Sequence, residues 1–106
     1  MDPVHGHCVE IFVPLFRSDG GPVEGRYLAE LERELTKGFG GVTAFTRVPA
    51  RGRWSDGEEV QTDEVVILEV LVEALDRAWW RRLRARLERD LDQEEVLIRA
   101  HPIERL

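Results

Sequence analysis

The sequence predicts an α+β fold in which a four-stranded antiparallel sheet carries two helices on one face. Residues 65–73, VVILEVLVE, form the densest β-branched run in the chain and suit a strand in the middle of a sheet. Three other segments alternate apolar and polar residues as strands do, and two segments repeat leucines at helical spacing. We expect all 106 residues to form a single domain with its own core.

The composition is that of a globular protein, with 42% apolar and 34% charged residues. The formal net charge of −6 disfavours nucleic acid and membranes as partners, because nucleic acid and anionic lipid bind basic surfaces. Cys8 is the sole cysteine, which excludes a disulfide within the chain. The sequence shows no apolar run of transmembrane length and no signal-peptide pattern, so we expect a cytoplasmic location.

The predicted order of elements is β-α-β-β-α-β, which is the split βαβ or ferredoxin-like plan. Right-handed crossovers put the first and third strands in the centre, with the fourth strand beside the first and the second beside the third. Both helices then cover one face of the sheet, and no predicted element covers the other. The strands are predicted at residues 8–16, 41–48, 65–73 and 95–101, and the helices at residues 23–37 and 77–91.

Residues that commonly cap helices or end strands define these predicted boundaries. Residues 1–6 are expected to be a loose start, and Gly38 is expected to cap the end of the first helix. Asp76 suits the N-cap of the second helix. Pro102 is expected to end the fourth strand. A turn-rich connection that contains Trp54 joins the second strand to the third.

Three local motifs carry a resemblance to known proteins: residues 39–45, FGGVTAF; residues 52–57, GRWSDG; and residues 78–80, AWW. With these motifs the chain resembles a group of small, uncharacterised bacterial proteins built on the ferredoxin-like plan. The resemblance covers most of the chain and implies the fold and a bacterial source, but no activity and no functional residue. In length and topology the chain is also similar, more distantly, to the dimeric α/β-barrel proteins, which include cofactor-free monooxygenases; this is an analogy of fold.

The uncovered face of the sheet is the main candidate for a functional surface. By alternation it gathers an apolar patch that is too large for a solitary monomer. One interpretation is a homodimer interface, and the alternative is a small-molecule site, or a monooxygenase-like active site, between the sheet and its partner. The residues assigned to this face are Cys8, Glu10, Phe12, Phe16, Thr43, Phe45, Arg47, Val65, Ile67, Glu69, Leu71, Leu97, Arg99 and His101.

Charged residues on this face, and a tryptophan in the connection, are the groups that could bind a ligand. Glu10 and Arg99 also fit a simpler interpretation, a cross-strand ion pair. Arginines beside Trp54 can bind a carboxylate or phosphate, but we favour the simpler interpretation, in which Trp54 packs over a sheet edge and the arginines pair with acidic residues. No motif assigns a catalytic residue or a cofactor. The candidate ligand-binding residues are Glu10, Phe12, Arg47, Trp54, Glu69, Arg99 and His101.

Two further sequence patterns, a pair of histidines and an arginine-rich helix, are not assigned to a functional site. His5 and His7 form an H-x-H pair, and His101 is expected near the same end of the sheet. Because alternation puts His7 and His101 on opposite faces, we expect no metal site. Six arginines cover the second helix, with acidic residues interleaved, and we interpret them as a solvated helix face.

Overall fold

The structure is a computed structural model that describes residues 4–47, 52–53, 59–60 and 65–106. The architecture is α+β, with an antiparallel sheet and two helices, as predicted. In chain order the elements are β1 (Val4–Pro14), α1 (Gly25–Phe39), β2 (Thr43–Arg47), β3 (Gly52–Arg53), β4 (Glu59–Val60), β5 (Val65–Val72), α2 (Arg77–Asp90) and β6 (Ile98–Arg105).

Four of these strands form the main sheet, in the order β2-β5-β1-β6, and each neighbouring pair is antiparallel. Strands β1 and β5 therefore lie in the centre, where the sequence placed the first and third strands. Strands β3 and β4 form a separate two-stranded ladder within the connection between β2 and β5, which was not predicted. This arrangement is compatible with the ferredoxin-like plan.

The register between β1 and β5 sets the two faces of the sheet. Ile11 lies opposite Leu68, and Glu10 lies opposite Glu69. Because successive side chains alternate between faces, odd positions of β1 and even positions of β5 share the face under the helices. The buried residues of that core are Val9, Ile11, Val13, Val66, Leu68, Val70 and Val72 from the strands, and Leu31, Leu35, Trp80, Leu83 and Leu87 from the helices.

Polar contacts tie the two helices to each other. The Arg86 guanidinium donates two hydrogen bonds to the Glu34 carboxylate, at 3.0 and 2.7 Å. The Tyr27 hydroxyl donates to the Asp90 carboxylate at 2.8 Å, and burial together with this bond raises the pKa of Tyr27 to about 12. A bidentate ion pair is directional as well as strong, so it helps to fix the orientation of α1 relative to α2.

Helix α2 begins where predicted, because the Asp76 carboxylate accepts a hydrogen bond from the Trp79 N–H at 3.2 Å.

Helix α1 runs from Gly25 to Phe39, later than the predicted 23–37. At its start, the Val23 N–H donates to the carbonyl of Leu15, the residue after β1, at 2.8 Å, and this bond holds Val23 outside the helix. At its end, Gly40 and not Gly38 takes the left-handed conformation, with φ of 86°.

The edge strand β6 departs furthest from the prediction. The predicted strand ended at Pro102, whereas β6 continues to Arg105, which lies opposite Val4 of β1. A proline is tolerated in an edge strand because its missing N–H can lie on the side that has no neighbouring strand. Consequently β1 begins at Val4, inside the segment that was predicted to be a loose start.

The other boundary differences are smaller. Residues 95–97 precede β6, and the Val96 N–H donates to the Glu88 carboxylate of α2 at 2.9 Å. Strand β1 ends at Pro14, so Phe16 lies outside the strand and is not part of the open face; it bridges to Pro22 instead. Strand β2 begins at Thr43, two residues later than the predicted start at residue 41.

Neither helix in the described ranges has the length and apolar character that crossing a membrane requires.

Candidate functional site

The sheet face opposite the helices presents its side chains in rows that cross β5, β1 and β6. The middle row is charged, and apolar groups lie on both sides of it. The rows are Ile67–Phe12, Glu69–Glu10–Arg99 and Leu71–Cys8–His101. We use the name open-face cluster for Cys8, Glu10, Phe12, Glu69, Arg99 and His101.

Glu10 is the centre of the open-face cluster. Its carboxylate accepts a hydrogen bond from the Arg99 Nε at 2.9 Å, which confirms that these two residues form an ion pair across the strands. The His101 Nδ1 lies 3.9 Å from the same carboxylate oxygen. The Arg99 guanidinium also lies 4.9 Å from the centroid of the Phe12 ring. Because the Glu10 side chain is only 13% exposed, this carboxylate depends on its protein neighbours for compensation of its charge.

Glu69 brings a second carboxylate to the same row, directly opposite Glu10. Side chains opposite each other in an antiparallel pair have Cβ atoms about 5 Å apart, and like charges at that distance repel. Among the side chains that the structure describes, no arginine, lysine or histidine lies within 4.0 Å of the Glu69 carboxylate. The described part of the row therefore carries two carboxylates and one guanidinium, an excess of negative charge.

Cys8 is buried beside these carboxylates. Burial raises the pKa of the Cys8 thiol to about 11, and the negative charges of Glu69 and Glu10 and a hydrogen bond to Glu69 act in the same direction. At neutral pH the sulfur is thus a protonated thiol and not a thiolate nucleophile. The carboxylates of Glu10 and Glu69 are therefore the groups of this cluster that can attract a cation.

The structure brings five of the seven predicted site residues onto one face. Arg47 lies in β2, opposite Val65, but its side chain falls outside the described part of the structure. Trp54 also lies outside the described residues. Both assignments stay predictions. The five residues that meet are Glu10, Phe12, Glu69, Arg99 and His101.

A metal site does not follow from this geometry. His7 lies opposite Pro102, and His101 opposite Cys8, so the two imidazoles belong to opposite faces of the sheet. Within the described ranges, no group of three or more histidine, cysteine, aspartate or glutamate side chains could hold a metal ion.

Two functional features were not predicted from the sequence. Cys8 was assigned to this face but not to a site, because its proximity to Glu69 depends on the register of β1 against β5. A second feature is a groove beside α2 that is lined by Arg77, Arg81 and Arg84. Their spacing along the helix was visible in the sequence, and the strand of the opposite wall was predicted, but a groove between the two was not.

Neither a protein-family model nor a curated protein sequence matches the chain. A solved structure with a similar fold is a phage SAM lyase in complex with S-methyl-5'-thioadenosine. The two chains are 19% identical, with a TM-score of 0.57, and the match covers 94% of this chain and 90% of the lyase. At this identity the likeness shows a shared fold. The resemblances to small bacterial proteins and to dimeric α/β-barrel proteins stay predictions.

The first prediction concerns the reactivity of Cys8. With a pKa of about 11 in place of the ordinary 9.0, the folded protein should react with iodoacetamide about a hundredfold more slowly at pH 8 than the urea-unfolded chain. The change Glu69→Gln removes a negative charge beside the thiol and should increase the rate in the folded protein. Mass spectrometry of the alkylated protein measures both rates.

The matched control is Glu94→Gln, an exposed glutamate between α2 and β6, which should leave the rate unchanged.

The pKa shift also has a stability consequence. Because the folded-state pKa is raised, the stability that the protonated thiol contributes is complete below pH 9 and is lost as the pH rises towards 11. Equal alkylation rates in the wild type and Glu69→Gln would contradict the assignment of Glu69 as a cause of the shift.

Proposed function

We propose that the chain is a small-molecule-binding protein whose site is the open-face cluster, and that its ligand is a compact organic cation with an apolar part. The observation that carries this proposal is the placement of Glu10 directly opposite Glu69 on the two central strands. Like charges in that position destabilise a sheet, so a bound cation would relieve a repulsion that the fold itself creates.

The charges of the cluster favour a cation over an anion. The single guanidinium of Arg99 is shared between the Glu10 carboxylate and the face of Phe12. The second carboxylate, that of Glu69, has no cation within 4.0 Å among the described side chains. A ligand that supplies a positive charge beside Glu69 therefore completes the pairing of the row.

The rows on either side of the carboxylates suit the apolar part of such a ligand. Phe12 is half-buried and presents an aromatic ring, which attracts cations as well as apolar groups. On the other side Leu71 is 47% exposed, next to the buried Cys8. An apolar surface with a small number of charged groups is the usual composition of a small-molecule site.

The neighbour in fold suggests which cations to test first. The phage SAM lyase was solved with S-methyl-5'-thioadenosine, an uncharged thioether, whereas SAM is a sulfonium cation. SAM combines a positive charge with apolar and aromatic parts, which is the combination that the open-face cluster fits. We propose SAM and related sulfonium compounds as the candidate ligand class for this chain. If the chain is also an enzyme, we propose that it acts on SAM as a lyase.

The second prediction tests the ligand class. Isothermal titration calorimetry should show binding of SAM, and Glu69→Gln should weaken it by about tenfold, as expected for the loss of one interaction between charged groups. S-methyl-5'-thioadenosine has no positive charge, so the same change should alter its binding by less than about twofold.

The control variant is again Glu94→Gln, which should bind SAM as the wild type does. Circular dichroism of each variant verifies that the fold is retained. If SAM does not bind, or if Glu69→Gln weakens SAM and S-methyl-5'-thioadenosine equally, the proposed ligand class is wrong.

A second candidate function is self-association through the same face. Leu71 is 47% exposed there, and Phe12 is half-buried two rows away on the neighbouring strand. Leu97, also 47% exposed, precedes β6, and its carbonyl accepts a hydrogen bond from the Phe12 N–H at 3.0 Å. Exposed apolar side chains grouped on one face mark an interaction surface. We propose a homodimer whose sheets face each other and enclose the site, in agreement with the expectation from the sequence. A bacterial source and a cytoplasmic location stay predictions from the sequence.

The third prediction tests this interface. The change Phe12→Glu introduces a third carboxylate next to Glu10 and should separate the copies, because a buried charge without a partner is costly. The core lies on the other face of β1, so the variant should stay folded. Sedimentation should report half the wild-type mass.

The matched control is Phe16→Glu, the same substitution at an exposed phenylalanine outside β1, which should leave the mass unchanged. An unchanged mass for Phe12→Glu, or a wild type that already sediments as a monomer at micromolar concentration, would contradict the dimer.

A further inference from the structure

A groove of about 300 Å³ lies on the other side of the sheet, between the first half of α2 and the edge strand β6. One wall is the helix and the other is the strand, and the floor reaches the core. This volume is at the lower end of the range for small-molecule sites. The lining residues are Val9, Leu75, Arg77, Trp80, Arg81, Arg84, Ile98, Arg99 and Ala100.

The helix wall of the groove is strongly basic. Arg77, Arg81 and Arg84 are spaced by four and three residues, so they lie on one side of α2. None of the nine lining residues is acidic. In a chain with a net charge of −6, this groove is a local concentration of positive charge.

Among the described ion pairs, Arg86 is the only α2 arginine that has an acidic partner. Arg86, on the same helix, has its guanidinium bound to Glu34. Arg77, Arg81 and Arg84 form no ion pair with another described residue. Like charges at this helical spacing repel one another, and a bound anion would offset that repulsion.

The floor of the groove is apolar and includes an aromatic ring. Val9, Trp80 and Ile98 line it, and Trp80 is 6% exposed. A ligand that fills the groove therefore needs an apolar or aromatic body as well as a negative charge.

We propose that this groove binds a small organic phosphate, with the phosphate group on the three arginines and an aromatic or apolar body towards Trp80. Guanidinium groups bind phosphate oxygens through paired hydrogen bonds, and a phosphate has enough acceptor oxygens for several arginines at once. The volume of about 300 Å³ limits the ligand to the size of a mononucleotide or less. This groove lies on the helix side of the sheet, shares Arg99 with the open-face cluster and suits a ligand of the opposite charge.

The test uses phenyl phosphate, inorganic phosphate and phenol as probes, with the full chain and ¹H–¹⁵N correlation spectra. Phenyl phosphate should shift the amide resonances of Arg81, Arg84 and Ala100 and bind more tightly than inorganic phosphate. Phenol, which lacks the charge, should bind least. Arg81→Glu should weaken phenyl phosphate by about tenfold, in keeping with the loss of a hydrogen bond between charged groups.

The control is Arg82→Glu, the same change of charge at the next residue of the exposed helix surface, which does not line the groove. It should change the affinity by less than about twofold. Arg84→Gln provides a milder second variant and should also weaken binding.

Three outcomes would overturn the proposal: no binding of phenyl phosphate, equal weakening by Arg81→Glu and Arg82→Glu, or affinity for inorganic phosphate equal to that for phenyl phosphate. If a single-stranded oligonucleotide binds more tightly than phenyl phosphate and also shifts the amide resonances of Arg82 and Arg89, the arginines bind nucleic acid instead.

Discussion

The pairing register of β1 against β5 is the constraint on which the rest of the structure depends. It places Ile11 against Leu68 in the core and, one residue away, Glu10 against Glu69 on the opposite face. A shift of one residue would move every buried side chain of a central strand to the other face, so the core holds this register firmly. The same packing that stabilises the fold therefore forces two carboxylates together.

The two faces of the sheet then acquire surfaces of opposite charge. On the open face, the row of Glu69, Glu10 and Arg99 has more carboxylates than guanidinium groups in the described structure. On the helix side, Arg77 and Arg81 line a groove without acidic residues. Among the described side chains, a chain with a net charge of −6 thus has two local surfaces that differ in sign. Each combines charge with an apolar or aromatic neighbour, the usual composition of small-molecule sites.

Alternation in the sequence was enough to predict the core faces of β1 and β5 and to place Glu10, Phe12, Glu69, Arg99 and His101 on one surface. The extension of β6 past Pro102 was missed because the proline was taken as a strand end, although the predicted order already put this strand at an edge, where a proline is tolerated. The extension also depends on pairing with Val4, about a hundred residues away. The end of α1 was misplaced because two glycines were available, and only the φ of Gly40 decides between them. The arginine groove was missed for a related reason: its two walls are distant in sequence.

We propose that the opposed carboxylates of Glu10 and Glu69 lower the stability of the free protein and serve to bind a ligand. The most direct measurement is the free energy of unfolding of Glu69→Gln without ligand, from urea titration at neutral pH, with Glu94→Gln as the control. Removing one of two opposed like charges should raise the stability by about 0.2–1 kcal/mol, while Glu94→Gln should change it little. A loss of stability in Glu69→Gln that the control does not share would mean that Glu69 stabilises the sheet, and would contradict the account.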